Sequence, residues 1–355
     1  MSFERQNIEK MSGYISGEQP DDPDILKLNT NENPYPPSER VAETIRSFDS
    51  SGLRHYPSPT AARFRRLAAE LHDLDANNII ATRGGDELLR LVITTFVDPG
   101  ERIGVTNPTY SLYPVLAEIQ DCPLIEIDLI EDWGLPQGFA DSMNSAGVKL
   151  TLLINPHAPS GYLLSIEEVS RLAGQLDSIL LLDEAYIDFV DGVFDSPKLV
   201  KEHDNLIILR TLSKGYSLAG LRFGYGIATP QLINPMLNKT KDSYNLDLLS
   251  QQIAETAIAD QPAAKRSWQL VIEERHRLHE ELKKLDMSSS PSQTNFLLVT
   301  TPIDAEQLYL RLKERQILVR YFALPRLQDK LRITVGTKAE NDRLLSALKE
   351  ILGSL

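Results

Sequence analysis

The 355-residue chain contains a single cysteine, Cys122, and this scarcity excludes two ways of holding a fold together. A disulfide within the chain needs two thiols and a thiolate metal cluster needs more, so neither is available. Cys122 is expected to be a small buried hydrophobe. Long apolar runs are also missing, and no stretch approaches the roughly 20 residues of a membrane span. Met1-Ser-Phe-Glu-Arg-Gln6 carries charge where a secretory signal would have its apolar core. There is no excess of basic residues: 37 Lys and Arg stand against 50 Asp and Glu, a formal net charge of −13. That balance argues against nucleic acid or an anionic membrane as the main partner. A small anionic substrate stays open, because individual arginines decide that locally. A reducing cytoplasm is the expected setting.

The chain is 42% hydrophobic and 25% charged, an ordinary globular composition, and long enough for two domains. Gly13, Gly17 and Pro20 break any long helix in residues 1–28, which read as a polar arm. From residue 61, helical and extended patterns alternate. A helix is expected over 61–72, a strand over 78–81, a Gly84-Gly85 turn and a helix over 86–96. Further strands are expected over 102–106, 149–154, 178–182 and 206–209, short apolar runs of the kind buried in parallel sheets. Ser165-Ile-Glu-Glu168 has the form of a capping box. After residue 262 the texture changes to a charged amphipathic helix and separated strands over 295–300, 317–321 and 331–335. The expected class is α/β: a large, doubly wound, mostly parallel sheet over 49–261. A smaller α+β domain would combine 29–48 with 262–355.

Two segments carry the chemistry. Lys214 follows the run 206–209, with Thr211 and Ser213 beside it and Arg222 eight residues on (222 − 214). Burial and positive neighbours lower a lysine's pKa and make its amine reactive toward an aldehyde. Ser213 and Arg222 are suited to grip a phosphate, and the helix opened by Arg83-Gly84-Gly85-Asp86 offers free N–H groups as a second anchor. Its glycine spacing is not that of a dinucleotide fingerprint. Asp183 stands just past another buried run, where desolvating a carboxylate is costly unless a cation faces it. A protonated pyridine nitrogen is such a cation, and Tyr186 lies three residues further along. An aldehyde-binding lysine, a ring-binding acid and a phosphate grip are the parts needed for pyridoxal 5'-phosphate. Each residue alone has a plainer role: Asp183 as a turn cap, Lys214 as a surface lysine, Tyr110 as a packing aromatic. His276 and His279 read as the solvated face of a charged helix, with no further ligands to make a metal site.

These segments resemble the class I/II, fold-type-I aminotransferases, most closely those acting on histidinol phosphate. Asn31-Glu-Asn-Pro-Tyr35, Tyr56-Pro57, Asn107-Pro-Thr-Tyr110, Leu218-Ala-Gly-Leu-Arg222 and Leu331-Arg-Ile-Thr-Val-Gly-Thr337 extend the likeness nearly end to end. The resemblance implies a pyridoxal-phosphate enzyme in which Lys214, Asp183 and Tyr186 are catalytic. The cofactor would be held by Gly84, Gly85, Asp86, Tyr110, Asn155, Thr211, Ser213 and Arg222. It implies a homodimer with shared sites, in which Tyr56 reaches the neighbouring subunit's cofactor phosphate and Tyr14 crosses to the partner's substrate pocket. Asn33, Arg320 and Arg332 would bind substrate. Alternation over 331–335 puts Arg332 and Thr334 on one face, and an edge-strand arginine facing solvent is the plainer alternative. Two arginines suit a phosphate dianion better than a carboxylate. The implied reaction takes histidinol phosphate and 2-oxoglutarate to imidazole-acetol phosphate and glutamate, in histidine biosynthesis. An aromatic amino acid aminotransferase and a lyase resembling threonine-phosphate decarboxylase remain as alternatives. At position 158 this chain has alanine where the family usually has asparagine, leaving Tyr186, Asn155 or His157 to serve the cofactor's phenolic oxygen.

Overall fold

A strand covered by helices on both faces has no polar side, and this decides where the main sheet runs. In the computed structural model, which describes residues 2–353, the first strand β1 (Leu26–Lys27) is short and lies apart from it. The main sheet is built from β2 (Ile79–Thr82), β3 (Arg102–Asn107), β4 (Leu124–Asp128), β5 (Val148–Ile154), β6 (Ile179–Asp183), β7 (Leu206–Thr211) and β8 (Gly224–Ala228). Their order is β2-β8-β7-β6-β5-β3-β4. All neighbours run parallel except β8, which is antiparallel to both β2 and β7. Leu180, Leu181, Leu182, Leu206, Ile207 and Ile208 are fully buried, and each such side chain contributes about 1.5–3 kcal/mol of transfer free energy.

Strand β8 escapes detection in the sequence because Gly224 and Gly226 read as breakers. They are there for close approach. A Cβ on Gly224 would lie 2.8 Å from the carbonyl carbon of Gly84, so only glycine lets β8 pass under the start of the helix Gly84–Phe96 that follows β2. The edge strand β4, only half-buried, was also not anticipated. Gly84 and Gly85 are not a turn before a helix; they are its first residues, Gly84–Phe96. The capping box forms at Ser165, whose side chain accepts from Glu168 N while Glu168 accepts from Ser165 N at 2.8 Å.

The remaining strands form two small sheets. β9 (Ser288–Ser289), β10 (Phe296–Thr300), β12 (Arg320–Tyr321) and β13 (Lys330–Thr334) pair antiparallel in the order β12-β13-β10-β9. β11 (Ile317–Leu318) pairs with β1 in parallel instead. The single strand expected over 317–321 is therefore split at Val319 between two partners. Leu28, Leu278, Leu297, Leu331, Ile333 and Leu348 share the core beside these sheets. The arm is more ordered than its composition implies. A helix, Gln6–Lys10, is held against the helix Leu112–Gln120 by Asn7 Nδ2 donating to Glu118 O at 2.7 Å. The charged helix Gln261–Lys283 is not solvated all round. Arg275 is 1% exposed and donates to Phe189 O at 2.6 Å and Thr294 O at 2.9 Å, tying the loop after Tyr186 to the small sheet. Among the described residues no helix is long and apolar enough to cross a membrane.

Ile208, fully buried at the centre of the main sheet, has no room to relax around a cavity. Ile208→Ala is expected to lower unfolding free energy by about 2–4 kcal/mol in urea titrations. Leu270→Ala, at a side chain 43% exposed, is expected to change it by less than about 0.5 kcal/mol. Equal costs at the two positions would contradict the assigned core.

Candidate active site

The antiparallel β8 sets where the chemistry gathers. Because Thr82, Gly224 and Thr211 stand in register, β2 and β7 end at the same edge of the sheet. The parallel strands β3, β5 and β6 end there too, placing five strand ends around one crevice. A cavity of about 510 Å³ opens at this edge. Residues from β6, β7, the arm and the small antiparallel sheet line it.

Thr211 closes β7, and its hydroxyl accepts from Ser213 N at 3.1 Å, which turns the chain back toward the cavity. Arg222 Nη1 donates to Ser213 Oγ at 3.3 Å, and Nη2 pairs with Asp86 Oδ2 at 3.3 Å. The guanidinium lies against Gly84, where φ is +78° and an added Cβ would come within 2.8 Å of Arg222 Nη2. Only glycine leaves this cradle open at the head of the helix. Lys214 Nζ donates to Thr30 O at 2.9 Å. Burial, reinforced by the positive charges of Arg332 and Arg222, pulls its pKa down to about 8.

Asp183, 6% exposed, is the last residue of β6. Tyr113 donates its hydroxyl to Oδ2 at 2.9 Å, and Ala185 N donates to Oδ1 at 3.0 Å. Neither partner is charged, and no ion pair reaches this carboxylate among the described residues. Burial pushes its pKa up to about 6, although both hydrogen bonds oppose the shift. Tyr113 was not foreseen: its link to Asp183 spans 70 residues and leaves no local trace. Tyr110 meets Tyr113 edge-on at 5.6 Å, and Tyr14 at 6.0 Å.

Arg320 and Arg332 stand directly opposite one another on β12 and β13. β13 lies between β12 and β10, so Arg332 is an interior-strand residue and the solvent-facing alternative fails. Its Nη2 donates to Asn29 O at 3.0 Å, while its buried Nε has no hydrogen-bond partner. Both guanidinium carbons lie 5.4 Å from the ring centre of Phe322. Burial holds the Arg332 guanidinium below its ordinary pKa, and Arg320 adds to that.

Several expected site residues lie elsewhere. Asn155 is withdrawn from the cavity: Nδ2 donates to Leu164 O at 3.1 Å and Oδ1 accepts from Leu164 N at 2.8 Å, shaping the loop after β5. His157 is likewise occupied, by Ser160 Oγ at 2.7 Å and Pro108 O at 3.0 Å. Asn33 does not reach the cavity either, donating instead to Ser267 Oγ at 2.9 Å and Gly215 O at 3.3 Å. Its neighbour two residues earlier, Asn31, takes the inward place and donates to the Tyr186 hydroxyl at 3.0 Å. The repeated asparagines of Asn31-Glu-Asn33 hold the signal without saying which one turns inward. Tyr56 is 82% exposed and stacks on Tyr244 at 4.5 Å, outside the cavity. Tyr14 lines the cavity of its own chain.

The residues present fit pyridoxal phosphate. The open cradle of Gly84, Ser213 and Arg222 would take the phosphate, and the uncompensated Asp183 carboxylate the protonated ring nitrogen. Lys214 would meet the aldehyde, with Tyr110 against the ring. The cost of an unpaired Asp183 gives a pH test. Its carboxyl binds a proton more tightly folded than unfolded, so its contribution is whole below about pH 4 and lost as pH rises through about 6. Ligand-free Asp183→Asn is expected to gain on the order of 2–3 kcal/mol over wild type at pH 7.5 and nothing at pH 4. A pH-independent difference in urea titrations would refute this account of the shift.

The family described as aminotransferase class I and II matches residues 23–348. A histidinol-phosphate aminotransferase from a Nostoc species is 42% identical, covering 99% of each chain. One from a Geobacter species is 41% identical over 98% of each. The solved structure of histidinol-phosphate aminotransferase from Sinorhizobium meliloti, in complex with pyridoxal 5'-phosphate, superposes with a TM-score of 0.91. It covers 100% of this chain and 98% of its own at 24% identity, a likeness of fold. By sequence over its whole length, and by the shape of its site, the chain belongs to the pyridoxal-phosphate-dependent class I and II aminotransferases.

Proposed function

We propose that the enzyme moves the amino group of histidinol phosphate to 2-oxoglutarate, giving imidazole-acetol phosphate and glutamate in histidine biosynthesis. The observation that carries this reading is the pair of arginines at 320 and 332. Two like charges opposed across neighbouring strands are destabilising by themselves. This pair has no carboxylate partner among the described residues, and one buried Nε–H is unsatisfied. Such a site is built for a dianion, which would satisfy both forks at once. The names of the relatives at about 40% identity point to the same substrate.

Pyridoxal phosphate, when bound, supplies an aldehyde to take up the amine and an electron-poor ring to spread negative charge at Cα. The chain's own residues supply the rest. Asp183 would hold the protonated ring nitrogen, a cation that offsets the charge of the buried carboxylate. Tyr186 would donate its hydroxyl hydrogen to the ring's phenolic oxygen. Lys214, held near a pKa of about 8, would hold the aldehyde at rest and, once freed by the substrate amine, would carry the proton from Cα to the carbon that was the aldehyde's, as general base and then acid. Arg320 and Arg332 fix the far end of the substrate, so that this proton faces Lys214. Gly13, Tyr14 and Ile15 line the same cavity.

The reading includes a homodimer with shared sites, supported by the exposed Tyr56–Tyr244 stack and the 58% exposed Leu53 nearby in sequence. It keeps the division into an arm, a large domain over 49–261 and a small one over 29–48 with 262–355. A cytoplasmic setting is supported by the lone cysteine.

Purified protein given histidinol phosphate and 2-oxoglutarate is expected to form glutamate in step with loss of the donor. Release of carbon dioxide in place of glutamate would sink the reading. Lys214→Ala is expected to lower kcat by a factor on the order of 10³ or more. Arg332→Gln and Arg320→Gln are each expected to raise KM for histidinol phosphate roughly 10- to 100-fold while leaving cofactor bound. An unchanged KM in both would remove the arginine pair from the substrate site.

A further inference from the structure

The loop after β5 presents only Ala158 and Pro159 to the cavity, neither with a side-chain donor, and Asn155 and His157 are committed to backbone and to Ser160. On the cofactor reading, the phenolic oxygen would take its hydrogen bond from the Tyr186 hydroxyl, which has one proton to give. Asn31 decides how it is spent. This residue is 1% exposed and sits at φ 56°, in the left-handed region where asparagine is tolerated and most residues are strained. Its backbone N donates to Thr334 Oγ1 at 3.0 Å, and its carbonyl accepts from Asn295 Nδ2 at 2.9 Å. With that lone pair of Thr334 used, the threonine hydroxyl donates to Asn31 Oδ1 at 3.1 Å. The amide is thereby oriented with Nδ2 toward Tyr186, donating at 3.0 Å.

We propose that Asn31 is a positioning residue that makes Tyr186 a committed donor to the cofactor's phenolic oxygen, in place of the side chain that Ala158 lacks. A tyrosine oxygen that accepts from an amide turns its own hydrogen away from that amide, here into the cavity. Donation into the phenol also polarises its O–H and strengthens the next bond along the chain. The anchor of the relay, Thr334, is two residues from Arg332 on β13, so the strand that holds the substrate's anion also sets the cofactor's hydrogen bond. The inference rests on the cofactor reading above and is independent of which amine is the substrate.

The test is a pH titration of the visible absorbance of protein loaded with pyridoxal phosphate. A hydrogen bond to the phenolic oxygen favours its anionic form and lowers the midpoint of that titration. Asn31→Gly removes the amide and tolerates the positive φ. Asn31→Asp keeps the shape but offers only acceptors, which would capture the tyrosine proton. Both are expected to raise the midpoint by about one pH unit or more, the worth of one hydrogen bond. In a Tyr186→Phe background the same changes are expected to add less than about 0.3 units, because the effect passes through that hydroxyl. Ala158→Asn is expected to return the Asn31→Gly midpoint toward wild type. An unchanged midpoint in both Asn31 variants, or the same shift with and without the Tyr186 hydroxyl, overturns the proposal. A wild-type protein that takes up no cofactor would instead overturn the reading beneath it.

Discussion

Everything in this molecule depends on five strand ends being delivered to one edge of one sheet. The parallel strands β3, β5, β6 and β7 bring Asn107, Ile154, Asp183 and Thr211 to that edge by the ordinary rule of doubly wound folds. Thr82 joins them because β8 runs backwards between β2 and β7, which makes β2 parallel to the rest. Glycine at 224 lets that reversal happen under the helix start without collision. Move any one of these ends to the opposite edge and the lysine, the acid and the phosphate cradle no longer meet.

The assembled cavity is electrostatically poor company for itself. Lys214, Arg222, Arg320 and Arg332 all line it, against two acids, Asp183 and the Asp86 that pairs with Arg222. The direction of each shift shows the tension: Lys214 and Arg332 are pulled down and Asp183 is pushed up, with burial the first cause each time. Groups like these are tolerated where a ligand of complementary charge completes the set. A phosphate for Arg222, a ring cation for Asp183 and an anionic substrate for the paired arginines would each relieve one part of the strain. Stability is traded for readiness at the same residues that define the chemistry.

What the sequence made legible follows the range of the interactions. Lys214 and Asp183 were readable because each closely follows a continuous apolar run of strand length, and Arg222 because it stands eight residues after Lys214. The capping box at Ser165 was readable because it spans four residues. Tyr113 was not, because its bond to Asp183 is set by how a helix lies against the sheet. Asn31 and Asn33 differ only in which way a left-handed residue turns the chain, and composition cannot show that. Asn155 was misplaced because its motif fixes the loop's position and not the direction of its side chain. β8 was hidden by glycines whose purpose appears only when Gly84 is beside them. The split at Val319 was hidden because its two halves pair with strands about 290 residues apart in one case and about 11 in the other.

The segment around residues 26–31 has a consequence for how the enzyme comes into being. Leu26 and Lys27 pair with β11, Thr334 N donates to Leu28 O at 3.0 Å, and Asn31 is bound to a threonine 303 positions later. A ribosome makes this stretch some 300 residues before its partners. The polypeptide that receives Lys214 must therefore wait, unpaired, until residues 317–334 have been made. The main sheet draws on nearer stretches of chain, whereas the wall of the catalytic pocket joins residues some 300 positions apart.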